Sequence, residues 1–102
     1  MTQTARIPES TLIDLGAWVV NNRPVGGFLE AVLSGDLFEA VARADSQNLE
    51  ALGLLVKFIY NYVPVGARNV RTWDVHRLPP SSQKIVENRF HQGLDALVAG
   101  RL

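Results

Sequence analysis

The sequence predicts an all-α fold, a compact single-domain bundle of about five to six helices. Three observations predict it. Apolar residues recur at helical spacing through most of the chain. Pro, Gly, Asn and Asp punctuate those stretches with start and stop signals. Only one short segment alternates like a strand, and an isolated strand has nothing to pair with. The length of 102 residues and the 47% hydrophobic content suit one domain with its own core, needing no covalent staples.

The first helix spans about residues 8–21. Pro8 and Glu9 favour a first turn, and Leu12, Leu15 and Val19 follow at helical spacing. Asn21, Asn22 and Pro24 stop it, because Asn accepts the left-handed cap and Pro breaks the hydrogen-bond ladder. A second helix opens between Pro24 and Gly27 and runs to Leu33, with Gly35 as its exit. Asp36 and Glu39 have capping-box spacing and start a short third helix ending near Ala44.

Asp45 starts a fourth helix that Pro64 ends. One of its stripes is Leu49, Leu52, Val56, Ile59 and Val63; another is Leu54, Leu55, Phe58 and Tyr62. A helix apolar on two sides belongs at the centre of a bundle or against a second chain. Residues 70–78 could be read as strand or helix; with no partner strand, a short helix is expected. Pro79, Pro80, Ser81 and Ser82 then lead into a last helix over 81–99. Its face is Val86, Phe90, Leu94 and Leu97, with Ile85 and Val98 alongside and Gly93 as a weak point. The eight aromatic residues, Phe38 included, are expected mostly in the core, with either Tyr60 or Tyr62 reaching solvent. Residues 1–102 therefore form one domain: a flexible start (1–7), a helical core (8–63) and a basic part with the final helix (64–102).

Residues 12–26 and 52–66 echo each other at an offset of forty, including Pro-Val-Gly at Pro24 and Pro64. Two copies of the same helix-exit chemistry do not make a solenoid, which needs more repeats.

The same residues exclude several chemistries. There is no cysteine, hence no disulfide, thiolate zinc site or cysteine nucleophile. His91 and Asp95 share a helix face but are only two ligands where zinc needs at least three, so no metal site is expected. Ser34, Ser81 and Ser82 sit at helix boundaries, outside any nucleophile motif. No cofactor is expected. Arg23, Gly26 and Gly27 could form a weak anion site at a helix start, although Gly there serves a sharp corner equally well.

The opening residues lack a signal-peptide run, and the longest apolar stretch, Leu52 to Ile59, contains Lys57 and is too short for a bilayer. A soluble, cytoplasmic protein without membrane contact is expected. Residues 1–63 carry four basic and seven acidic side chains, a net of −3; residues 64–102 carry six and three, a net of +3. Arg68, Arg71, Arg77, Lys84 and Arg89 in the basic half form a candidate interaction surface. They would also serve a nucleic-acid-associated regulator, the alternative reading. Overall charge is zero, which makes nucleic acid the less favoured partner.

Ile7-Pro8, Thr11-Leu12, Pro24, Gly26-Gly27-Phe28-Leu29, Ala31-Val32-Leu33, Asp36-Leu37, Arg43-Ala44-Asp45, Asn48 and Tyr60-Asn61 together resemble a family of small bacteriophage and prophage proteins. The resemblance covers about residues 7–61, and it implies that Trp73 corresponds to a Trp-containing segment that follows in those proteins. From Leu78 onward the chain departs from the pattern. The resemblance implies a phage or prophage origin and a bacterial cytoplasm. It assigns no activity, so no functional residue is carried over. The function expected is a non-enzymatic protein–protein interaction module acting on a host or phage protein, with homo-oligomerisation as a further expectation.

Overall fold

Short-range capping chemistry sets most of the helix ends. The computed structural model describes residues 6–102. Helix α1 (Glu9–Asn21) ends where Asn22 adopts φ 59°, its N–H bonding the Trp18 carbonyl while Arg23 N–H bonds that of Ala17. Helix α2 (Gly27–Ser34) starts after Gly26 and ends at Gly35, φ 76°. Helix α3 (Leu37–Arg43) is capped by Asp36, whose Oδ1 accepts the Glu39 N–H at 3.2 Å. Asp45 repeats this for α4 (Ser46–Glu50), accepting the Asn48 N–H at 2.8 Å. Helix α5 (Leu52–Tyr62) and two 3-10 turns (Val65–Arg68 and Val75–Arg77) precede α6 (Pro80–Val98). The protein is all-α, with no strand among the described residues.

The rod expected over 45–63 is two helices, broken at Ala51 (φ −93°, ψ 3°). Thr11 Oγ1 donates to Asn48 Oδ1 at 2.7 Å and fastens α4 to α1, while α5 runs against α6. One straight rod could not serve both directions. The expected central role belongs to α5 alone: Leu55, Phe58 and Ile59 are buried, and Val63 just beyond it.

Packing around α5 is tight because glycine allows it. The Phe58 ring meets Phe90 edge-on at 5.2 Å and Tyr62 at 5.7 Å. A Cβ on Gly93 would lie 2.7 Å from Phe58 Cε2 and 2.8 Å from Tyr62 Cβ. The expected weak point of α6 is therefore a place where α6 comes close against α5. Val86, Phe90 and Ala96 complete the inner face of α6, whereas Ile85 and Val98, expected alongside it, are 66% and 91% exposed.

Residues 70–78 are not the expected helix; only Val75–Arg77 make a 3-10 turn. Asn69 Oδ1 takes the Arg71 N–H and Asp74 Oδ1 takes that of His76, local bonds that compete with a helix. Long-range bonds then strap the segment over the end of α1. The Trp18 indole donates to the Ala67 carbonyl at 2.9 Å, the Trp73 indole to that of Val19, and Val75 N–H to Asn22 Oδ1. The flexible start expected over 1–7 includes Ile7, which is buried in the core; residues 1–5 lie outside the described residues.

Candidate partner-binding surface

The molecule measures 46 × 30 × 18 Å, so its thin dimension holds about two helical layers. Helix α3 packs chiefly on α2 and buries only Ala40. At 100° per residue, Leu37, Val41 and Phe38 occupy one arc adjoining Ala40. Leu37 is 63% exposed, Val41 44% and Phe38 88%. The expectation of Phe38 in the core is thus overturned: a short helix packed chiefly on one neighbour does not bury so wide an apolar arc.

Leu37 of this stripe, with Ala40, lines a groove. Val32 of α2 lies between Leu37 and Ala40 on the α3 side and Leu52 and Val56 on the α5 side, around a volume of about 210 Å³. Val56 is half exposed, and Tyr60, one turn further along the same side of α5, is exposed. Of the two tyrosines, then, Tyr60 is the one reaching solvent. Asp36 stands at the rim. Over α2 to α5, residues 27–62, five carboxylates face two basic side chains, a net of −3. One of those two, Arg43, is paired with Glu39 at 2.9 Å.

The candidate basic residues are distributed over separate sites. Arg68 and Arg71 line one depression together with Glu30, Ser34 and Asn69. The Arg68 guanidinium lies over the Tyr60 ring at 5.6 Å, and its buried Nε has no hydrogen-bond partner. Arg77 pairs with Asp74 at 3.4 Å. Arg89 stacks over Tyr62 at 5.2 Å, donates to the Asn61 carbonyl and borders a different depression, between α5 and α6. Lys84 is exposed on α6.

The candidate anion site is likewise drawn apart. Arg23 lines a groove between α1 and α6 with Glu9, Asn21 and Phe90. The charge that reaches Gly27 is instead Arg43, whose Nη1 would lie 2.6 Å from a Cβ there. Nothing lies within 4 Å of a Cβ built on Gly26. A guanidinium already paired with Glu39 therefore covers the start of α2.

Sequence reasoning missed Leu37, Phe38, Val41 and Val56 as surface residues. One signal was available. Between the caps Asp36 and Asp45, the chain carries apolar or small residues at 37, 38, 40, 41, 42 and 44. That is more apolar width than a seven-residue helix can hide against one neighbour.

Among the described residues, no three His, Asp or Glu side chains gather as a metal site, and no helix is long and apolar enough to cross a membrane. His76 and His91 are both exposed. Comparison with protein-family models, curated proteins and solved structures finds no match to this chain.

Proposed function

We propose that this protein is a non-enzymatic, phage-type interaction module that binds a host or phage protein through the face formed by α3 and α5. The observation carrying this reading is Phe38, a large aromatic side chain 88% exposed on the same short helix as the exposed Val41 and Leu37, of which Leu37 lines an apolar groove. Single exposed apolar residues are ordinary, whereas contiguous ones with a polar rim mark contact surfaces. The sequence pattern shared with small phage proteins supports the phage assignment, and the bacterial cytoplasm follows from it. The residues of that pattern are largely occupied in holding the fold: Asp36 and Asp45 cap helices, Asn48 ties α4 to α1, and Ile7 fills the core.

The test is affinity capture from bacterial cells with wild type and Phe38→Ser side by side, followed by reconstitution with the purified candidate partner. The expected result is a partner retained by wild type and lost with Phe38→Ser, while the variant's thermal midpoint stays near wild type. Identical partners on both forms would overturn the reading.

A further inference from the structure

The depression between α2 and the 3-10 turn at Val65–Arg68 gathers opposite charges that do not close on each other. Arg68, Arg71 and Glu30 all line it, yet among the described residues no carboxylate lies within 4.0 Å of either guanidinium. Arg68 is held in place. Its guanidinium lies over the Tyr60 ring at 5.6 Å, and stacking of that kind fixes the plane while leaving the in-plane N–H donors free. Its Nε is the single buried side-chain nitrogen or oxygen without a hydrogen-bond partner among the described residues, and such groups are uncommon in folded proteins. Asn69 lies between the two arginines in sequence. Its Oδ1 accepts the Arg71 N–H at 3.1 Å, which leaves its amide hydrogens as further donors. This donor set suits a carboxylate, whose two oxygens match the planar arginine fork.

The α2 side has the opposite polarity. Glu30 contributes a carboxylate, and Ser34 and Gly35 line the depression at the end of the helix, where the macrodipole favours a cation. The Ser34 hydroxyl donates back to the Glu30 carbonyl at 2.8 Å, so it turns lone pairs outward. Val70 and the 75% exposed Val65 supply apolar wall. A volume of about 670 Å³ has room for an organic body as well as its charged groups.

We propose that this depression binds an α-amino acid with an apolar side chain. Its carboxylate is held by Arg68, Arg71 and Asn69, its ammonium by Glu30, and its side chain lies against Val65 and Val70. A plain anion would meet Glu30 and the negative end of α2 with nothing to offset them, and a plain cation would meet two guanidiniums. The inference does not depend on the α3–α5 face.

The experiment titrates the isotopically labelled full chain with L-leucine, 4-methylpentanoate and 3-methylbutylamine, following amide shifts by nuclear magnetic resonance. Leucine should shift the amides of residues 33–35 and 68–71. It should bind at least about tenfold more tightly than either analogue, each of which lacks one charge. Arg71→Ala should weaken leucine by about tenfold. Glu30→Gln should weaken leucine but tighten 4-methylpentanoate, because it removes a partner of the ammonium and a like charge beside the carboxylate. A structural role for Glu30 would not move the two ligands in opposite directions. Both residues are exposed, so circular dichroism of the variants should match wild type. Lys84→Ala, an equal loss of charge on α6, should leave leucine binding unchanged. Binding of 4-methylpentanoate as tight as that of leucine would make the depression a simple anion site and overturn the amino acid. Absence of leucine binding, shifts centred elsewhere, or equal weakening by Lys84→Ala and Arg71→Ala would overturn the site itself.

Discussion

Gly93 and Gly53 show how one residue type takes opposite meanings from its surroundings. Both lie within helices, where alanine is worth up to about 1 kcal/mol over glycine. At Gly53 nothing lies within 4 Å of the added Cβ, so Gly53→Ala should stabilise the protein by about 0.5 kcal/mol. At Gly93 the methyl group would meet Tyr62 Cβ at 2.8 Å, an atom attached directly to the α5 backbone and unable to swing aside. Overpacking of this kind costs about 1–3 kcal/mol, which exceeds the propensity gain. Gly93→Ala should therefore lower stability by about 1 kcal/mol, and urea midpoints of the two variants should move in opposite directions. A rise for both would mean that α5 and α6 stand further apart than described. The glycine itself was visible in the sequence, but its role depends on Phe58 and Tyr62, more than thirty residues away.

At the scale of elements, the parts legible in advance were those governed by neighbours in sequence. The Asp36 and Asp45 caps, the left-handed Asn22 and Gly35 exits and the Pro-led start of α6 each rest on contacts within a few residues. Residues 70–78 were not legible, because their path is set by bonds to Val19 and Asn22 across more than fifty residues. The break at Ala51 was hidden for the same reason, Thr11 lying thirty-seven residues from Asn48. The candidate site was the least legible part. Leu37 and Val41 have the spacing of core residues, and only the placement of α3 at the margin leaves them exposed. That placement has a dynamic consequence. Helix α3 buries only Ala40 and α4 buries no side chain, so local opening there uncovers little apolar surface. Hydrogen exchange should show α3 and α4 amides exchanging well before those of α1, α5 and the centre of α6. Protection of α3 equal to that of α5 would mean that the face is already closed.

For the whole molecule, the proposed resemblance to phage proteins ends near residue 61, a line that the packing does not respect. The core cluster takes Leu15, Trp18 and Val19 from α1 and Leu55, Phe58 and Ile59 from α5. It takes Ala67, Val75, Val86 and Phe90 from beyond that line. Phe90 packs edge-on against Phe58, and a Cβ on Gly16 would lie 2.9 Å from the Phe90 ring, so α6 fills the space that α1 and α5 leave between them. A chain ending at Val63 would expose Leu15 and Phe58 and lose the acceptor of the Trp18 indole, the Ala67 carbonyl. Each large side chain so uncovered forfeits about 1.5–3 kcal/mol, and two or three of them consume the stability typical of a domain this small. The chain of residues 1–63 should therefore show weak helicity without a cooperative thermal transition. In the full chain, indole fluorescence reports the strap over α1 through Trp18 and Trp73, whereas far-ultraviolet dichroism reports all six helices. Their urea transitions should coincide, as one cooperative unit requires. A shorter chain that folds cooperatively, or two separated transitions in the full one, would divide the molecule at the boundary of the resemblance and make the basic part an appendage instead of a wall of the core.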